Sequence, residues 1–330
     1  MKQSVNFPIY RGWLDDYGSL AELVAACTGL GLQGIEPIWG DTDYDGELPT
    51  GLTVGYHLLF WPDWLDFWLG DRAALDRKFG SRAVWTQYYG GEDRAALLRQ
   101  YQADMERAAK LGAAYVVLHV SDVSIEEGYT YRWLHTNEAV IDAACELVNQ
   151  LTADRDWPFD ILLENQWWPG FTFTDPALTQ RLLAGIHTPK KGLLLDTGHL
   201  LNTALDLADQ RAGIAYIHEM LDAHGPLCRE IKAVHLHQSL SGAYVRGHTG
   251  SLPAGLPVDY WARYAYSYDH VLQIDRHQPW TEPEIAGVLR RLGPQFLTHE
   301  LSAASRTDRK RVLGIQLDTL RRGGLTADGE

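Results

Sequence analysis

The sequence has few cysteines and no long apolar run. Its 330 residues include only 3 cysteines, Cys27, Cys145 and Cys228, which are far apart and form no CxxC pair. A disulfide scaffold and a cysteine-based zinc site are therefore excluded. No stretch approaches the roughly 18 consecutive apolar residues of a membrane span, and the opening residues MKQSVNFPIYRGW lack the pattern of a signal peptide. We therefore expect a soluble, cytoplasmic protein with no membrane partner.

Positive charge is also scarce. The chain has 29 Lys and Arg against 43 Asp and Glu, which gives a net charge of −14. A global basic field for nucleic acid is absent, so duplex binding is not expected, although the count leaves a local basic patch open. Nothing in the chain resembles a linker, and 45% hydrophobic residues are enough for a large core. We predict a single domain over residues 1–330.

Short apolar runs alternate with amphipathic helical stretches along the chain. Eight runs predict strands, at Ser4–Ile9, Gln33–Pro37, Leu52–Leu58, Ala114–Val120, Ile161–Glu164, Gly192–Asp196, Ile231–Leu236 and Gln295–Glu300. The runs are continuously apolar, as in a parallel sheet covered on both faces. Eight repeats favour a closed (β/α)8 TIM barrel over an open doubly wound sheet, and no G-x-G-x-x-G follows the first strand.

Two connections are long, from Phe60 to about Gly91 after the third strand and from Gln238 to about Trp280 after the seventh. In a barrel, the loops that follow the strands form the face that carries the chemistry.

Other parts of the chain contain signals that begin helices. Ser19 to Glu22 and Thr281 to Glu284 have the spacing of capping boxes, and Asp175 before a proline is typical of a helix N-terminus.

Six predicted strands end at, or within about a residue of, a side chain that can bind a metal. These residues are His57, His119, Glu164, Asp196, His235 and Glu300. The strand ends of a barrel surround one mouth, so ligands far apart in the sequence converge there. Divalent cations prefer such carboxylate oxygens and imidazole nitrogens.

Two short motifs extend this set. Asp196-Thr-Gly-His199 adds a histidine after the sixth strand, and Asp275-Arg-His277 adds a pair in the long seventh connection. The full candidate set is His57, His119, Glu164, Asp196, His199, His235, Asp275, His277 and Glu300. Nine ligands are too many for one ion and suit two or three.

With these motifs, the sequence resembles the xylose isomerase-like barrel superfamily, over roughly Gly34 to Leu301. The resemblance rests on GIEPIW, AAKLGAAYVVLH, LLEN, LLLDTGH, AVHLH and THE. The sugar epimerase branch implies one metal, held by Glu164, Asp196, His235 and Glu300, with the two glutamates also handling protons. The endonuclease IV branch of apurinic endonucleases implies three zinc ions on all nine positions, with Glu164 bridging two of them.

The chain departs from both branches in its long, aromatic connections. They suit a stacking platform for sugar or base rings, or equally a mini-core or a contact in a homo-oligomer. We assign Trp61, His199 and Arg246 to substrate binding, since an arginine near the mouth could hold one phosphate or carboxylate. His237 is expected to support the ligands or be structural. Glu36 is expected to have a packing or salt-bridge role.

The sequence therefore predicts a metal-dependent enzyme. The leading hypothesis is an isomerase or epimerase of a small sugar-like substrate, in which Glu164 and Glu300 take and return a proton beside a chelating metal. The alternatives are a multinuclear-zinc phosphodiesterase of the endonuclease IV type, an oxidative enzyme with two or three irons, and a non-enzymatic sugar-binding or subunit protein with a vestigial site. Zinc, manganese and iron all accept these ligands, with one to three ions per chain.

Overall fold

Eight parallel strands close into a barrel in chain order in the computed structural model, which describes residues 1–10, 16–40, 48–49 and 51–325. The strands are β1 Lys2–Ile9, β2 Gly34–Trp39, β3 Tyr56–His57, β4 Tyr115–His119, β5 Asp160–Glu164, β6 Lys191–Asp196, β7 Ile231–Leu236 and β8 Phe296–His299. Each strand pairs in parallel with the next, and β1 pairs with β8 to close the ring. The predicted (β/α)8 barrel is confirmed.

Strand β3 is much shorter than the predicted Leu52–Leu58. Upstream of it, Thr53 makes only an isolated bridge to Ile35. The ring of Tyr115 fills the space beside Gly55, where a Cβ would lie 2.1 Å from the ring. His57 still ends the strand, so its position at the mouth does not depend on the missing pairing.

Helices connect the strands. They are α1 Leu20–Thr28, α2 Leu65–Leu69, α3 Arg72–Phe79, α4 Arg82–Tyr89, α5 Arg94–Lys110, α6 Ile125–Thr130, α7 Asn137–Thr152, α8 Pro176–Gly185, α9 Thr197–Asn202, α10 Gln210–His224, α11 Gly242–His248, α12 Tyr260–Ile274, α13 Ile285–Leu292 and α14 Arg306–Arg322. The two long connections thus contain α2 to α4 and α11 to α12. None of the helices in the described ranges has the length and apolar character needed to cross a membrane.

Helix starts agree with the sequence in two of three cases. The side chains of Ser19 and Asp175 cap α1 and α8 as predicted. The capping box predicted at Thr281 is wrong, because α13 begins only after Glu284, and Glu284 makes no side-chain capping hydrogen bond. Thr281 is engaged elsewhere, since its backbone N–H and its hydroxyl both donate to the Gln210 side-chain oxygen, at 2.8 and 3.3 Å.

Two layers of core hold the barrel. Inside it lie Val54, Tyr115, Val117, Leu162, Leu194 and Ala233, all buried. A larger cluster fills the space between the strands and the surrounding helices. Because both faces of each strand are covered, the polar positions that the barrel can present to a ligand are those at the ends of its strands.

Candidate metal centre

The strand ends bring the predicted ligands together in three groups. Within each group, the donor atoms lie within 4.8 Å of one another. The first group is His57, His119 and Glu164; the second is Glu164, Asp196, His235 and Glu300; the third is His199, His237, Asp275 and His277. All nine predicted ligands are present, and Glu164 belongs to two groups. The convergence expected from the sequence is therefore what the barrel produces.

The first group contains two facing imidazoles. The Nε2 atoms of His57 and His119 are 3.0 Å apart, and Glu164 Oε2 is 3.5 Å from the former and 3.0 Å from the latter. His57 Nδ1 lies 2.8 Å from the Leu58 carbonyl oxygen, to which it donates a hydrogen bond. That bond leaves the Nε2 lone pair of His57 free for a cation.

The second group is centred on His235, which is completely buried. Its Nδ1 is 2.7 Å from Glu300 Oε2, 3.3 Å from Glu164 Oε1 and 3.7 Å from Asp196 Oδ2. On the other side of the ring, Nε2 is 2.7 Å from Glu36 Oε1. A carboxylate behind a histidine fixes the ring orientation and aims the other nitrogen at a metal, so Glu36 supports a candidate ligand.

The third group is built around Asp275. Its Oδ2 lies 3.2 Å from His199 Nε2 and 2.8 Å from His277 Nε2. His199 Nδ1 is held by the Asn165 carbonyl oxygen at 3.0 Å, which orients Nε2 toward the group. His277 has a left-handed backbone with φ 46°, a conformation that is uncommon for a non-glycine residue and clusters at functional sites.

His237 belongs to this group although the sequence assigns it a supporting or structural part. Its Nε2 lies 2.9 Å from Asp196 Oδ2 and its Nδ1 lies 4.0 Å from Asp275 Oδ1, so it stands between the second and third groups. A Cβ on Gly198 would approach the His237 ring to 2.0 Å, so glycine makes room for the imidazole. The signal in the sequence is the H-x-H pair of His235 and His237 at the end of β7, because alternate residues of a strand share a face.

The three groups fit divalent cations. Ligands bound at 2.0–2.1 Å around a tetrahedral ion lie about 3.3 Å apart, close to the donor separations given above. Several buried donor atoms of the described residues lie close to other donors of these groups without a well-aligned hydrogen bond, namely both Glu164 oxygens, His235 Nδ1, His277 Nε2 and Glu300 Oε2. Poorly satisfied buried polar atoms are costly, and cations between the groups would satisfy them.

The pKa shifts of the buried groups agree with binding of a cation at these positions. Burial opposes ionisation of Glu164, but the neighbouring His119 and His235 prevail and hold its pKa well below the usual value. Burial likewise opposes protonation of His235, yet the Glu36 and Glu300 carboxylates raise its pKa well above the usual value. Carboxylates that attract protons so strongly onto the imidazoles would attract metal cations in the same place.

A cavity of about 170 Å³ opens beside the first and third groups, reaching His119, His199 and Asp275. Its walls are largely aromatic: Phe60, Tyr88, Tyr129, Trp167, Trp168, Tyr260, Tyr264 and Tyr268. Among the described residues, no lysine or arginine lines it. Residues of the long connections contribute to the cavity and to the main core, since Tyr88 and Tyr260 line the cavity and Trp85 is buried in the large core cluster.

Of the predicted substrate-binding residues, only His199 lines this cavity. The Trp61 indole donates to the Tyr88 carbonyl oxygen at 3.3 Å and packs against another ring. The Arg246 guanidinium pairs with Asp206 at 3.0 Å on the surface. The structure therefore does not bring Trp61 or Arg246 to the centre, because each side chain is already engaged by its local neighbours.

Fold and site define a (β/α)8 barrel with a buried candidate metal centre at the carboxyl ends of its strands. The family model for the xylose isomerase-like TIM barrel matches residues 24–322, and the chain belongs to this family. No curated protein matches the chain.

Solved structures of low identity share the fold. Endonuclease IV from Thermus thermophilus is 17% identical, with 98% of this chain and 100% of that chain covered and a TM-score of 0.55. A D-tagatose 3-epimerase-like protein is 14% identical, covers 98% of both chains and has a TM-score of 0.54. The IolI protein with a bound zinc atom is 14% identical, covers 98% of both chains and has a TM-score of 0.51.

Proposed function

We propose that this protein is an enzyme that uses two or three divalent metal ions to hydrolyse a small phosphate ester. The observation that carries the proposal is the position of Glu164, whose two carboxylate oxygens face different donor groups. Oε2 is 3.0 Å from His119 Nε2, and Oε1 is 3.3 Å from His235 Nδ1. A carboxylate shared between groups suits neighbouring cations, as in two-metal hydrolases, whose ions lie about 3.5–4 Å apart.

The bound ions would supply an activated water and neutralise phosphate oxygens. The protein residues hold and orient the reacting groups. His119, His199 and Asp275 reach the cavity wall, so the first and third groups face the substrate, whereas Glu164 and His235 stay behind them in the barrel. The aromatic walls limit the access of water, which strengthens electrostatic interactions at the site.

A small substrate is favoured over a nucleic acid duplex. The cavity holds about 170 Å³ and no lysine or arginine lines its described walls. The chain has a net charge of −14, whereas duplex binding usually requires about 6–10 phosphate contacts from basic residues. The charge of the phosphate would therefore be met by the metal ions alone.

A sugar isomerase or epimerase is the second candidate. One observation favours it: the second group alone offers four ligands, including both glutamates, around His235. The proton transfer requires each glutamate to reach the substrate. The Glu164 side chain is only 1% exposed, compared with 13% for Glu300, and neither residue lines the cavity. The position of the two glutamates therefore favours hydrolysis over isomerisation or epimerisation.

Metal content tests the proposal directly. Protein purified without added ions should carry two or three ions of zinc, manganese or iron per chain by elemental analysis, and should hydrolyse p-nitrophenyl phosphate or bis-p-nitrophenyl phosphate. Chelation should abolish hydrolysis, and one of these ions should restore it. The variant Asp275→Asn should lose one ion, whereas Glu127→Gln, a buried glutamate in a helix cap, should lose none. A single ion per chain together with epimerisation of a ketose would overturn the proposal.

A further inference from the structure

The cavity has a second polar wall, formed by residues outside the three metal groups. Asp63 lines the wall there, and its side chain is 8% exposed, although most of the residue is buried. Tyr88, Tyr260 and Tyr264 lie on the same wall, with ring centroids 5.8 to 6.3 Å apart. The proposed hydrolysis needs no reacting group from this tyrosine wall. The composition of the wall therefore indicates which part of the substrate it contacts.

Carboxylates outnumber basic side chains behind this wall. Lys78 Nζ lies 2.8 Å from Asp63 Oδ1 and 2.7 Å from Asp66 Oδ2. His135 Nε2 lies 3.2 Å from Asp66 Oδ1 and 3.8 Å from Asp122 Oδ2. Glu127 is a further buried carboxylate close by, held by the capping box of α6. The Arg263 guanidinium also lies near this wall, 5.9 Å from the centre of the Tyr260 ring. The four carboxylates of Asp63, Asp66, Asp122 and Glu127 therefore outnumber the three basic side chains around them.

The titration of Asp63 is consistent with this excess. Burial raises its pKa to about 7, and the Asp122 carboxylate adds to the effect although Lys78 opposes it. The faces of the tyrosine rings also carry negative partial charge, and they attract organic cations. Carboxylate and rings therefore favour the same kind of ligand group at this wall of the cavity.

We propose that the tyrosine wall and Asp63 bind an organic ammonium group, so that the substrate is a small phosphate ester of an amino alcohol. The substrate class rests on the proposed function, whereas the ammonium site rests on the cavity alone. A cavity of about 170 Å³ has room for one short ester. Its phosphate end would face His119 and His199, and its ammonium end would face Asp63.

Three isosteric probes test the ammonium site without any reaction. They are choline, the neutral 3,3-dimethylbutan-1-ol and the anionic 3,3-dimethylbutanoate. Binding is measured by calorimetry and by the fluorescence of Trp167 and Trp168, which line the cavity, on metal-free and zinc-loaded protein. Choline should bind about tenfold more tightly than the neutral alcohol, and the anion should bind metal-free protein most weakly. In the zinc-loaded protein, phosphocholine should exceed 3,3-dimethylbutyl phosphate by a similar factor.

Substitutions at Asp63 and Tyr264 test whether the preference for choline comes from the tyrosine wall and Asp63. Asp63→Asn should reduce the choline preference to threefold or less, and Tyr264→Leu should weaken choline binding several-fold while Lys78 keeps its ion pairs. Tyr266→Leu is the matched control, because Tyr266 lies on the same helix, is 44% exposed and does not line the cavity. Circular dichroism verifies the fold of each variant, and Tyr264→Leu keeps the test valid if Asp63→Asn does not fold.

The outcomes separate the two proposals. If the neutral alcohol binds as tightly as choline, or if no probe binds, the ammonium site is wrong even when phosphate esters are hydrolysed. If choline is preferred in the metal-free protein but one ion per chain is found and no ester is hydrolysed, the ammonium site stands and the hydrolase proposal fails. An equal effect of Tyr264→Leu and Tyr266→Leu would also contradict the assignment.

Discussion

Replacing Glu164 by glutamine distinguishes a shared carboxylate from a ligand to one ion. Glutamine keeps the volume of the buried side chain but can offer only one neutral oxygen as a ligand. The first group then retains two imidazoles, from His57 and His119, whereas the second and third groups keep at least three donors each. Because three protein ligands are enough for a zinc site, we expect the bound metal to fall from three ions to two.

The stabilisation by zinc gives the magnitude. At free zinc one hundred times above each dissociation constant, a site adds about 2.7 kcal/mol, so three sites add about 8 kcal/mol and two add about 5.4 kcal/mol. A chain of 330 residues has an unfolding entropy near 0.7 kcal/mol/K. The melting temperature should therefore rise by about 12 °C with zinc in the wild type and by about 8 °C in Glu164→Gln.

Calorimetric scans with and without zinc, combined with elemental analysis, measure both quantities. Glu127→Gln is the control, since it makes the same substitution at an equally buried glutamate outside the donor groups. It should lower stability through its helix cap by about 1 kcal/mol and leave the zinc-induced shift unchanged. If Glu164→Gln binds as many ions as the wild type with the same shift, Glu164 is not a shared ligand, and the observation that carries the proposed hydrolysis fails.

Three further predictions concern neighbouring residues. Glu36→Gln should weaken zinc binding about 10–100-fold in chelator competition, because Glu36 orients His235. An unchanged zinc affinity would mean that Glu36 does not orient a metal ligand. Gly198→Ala should lower the free energy of unfolding in urea by about 1–3 kcal/mol, whereas Gly247→Ala, whose Cβ would meet no atom within 4 Å, should change it by less than about 1 kcal/mol. Burial lowers the pKa of His299 to about 3, so this ring stays neutral in the folded state and is protonated in the unfolded state below about pH 6.5. Unfolding should therefore become easier as the pH falls from about 6.5 to 3, by up to about 1.4 kcal/mol per pH unit, and His299→Gln should flatten this slope; parallel slopes would contradict it.

Much of the barrel and its candidate ligand set could be predicted from the sequence. Continuous apolar runs indicate strands buried on both faces, and the residue that follows such a run lies at the end of a strand. His119, Glu164 and Asp196 were identified in this way, because their position depends only on the neighbouring residues along the chain. The D-x-H pair of Asp275 and His277 was identified from its local spacing.

The division of these ligands into groups was decided by the tertiary structure. Glu164 contacts both His119 and His235 because the ends of β4, β5 and β7 meet at one mouth of the closed ring, and the direction of each carboxylate oxygen depends on packing around it. His237 joins the third group only because Gly198, on another element, leaves space for its ring. The spacing of residues along the chain does not predict such contacts between different elements.

The sequence by itself determined the repeat, the barrel and the residues at the ends of its strands, since these follow from local periodicity. Only the tertiary structure decided that Arg246 pairs with Asp206 on the surface and that Asp63 lines the cavity. The physical reason is that side-chain partners in the connections are selected by helix packing across the mouth. That packing joins segments more than one hundred residues apart, such as α4 and α12.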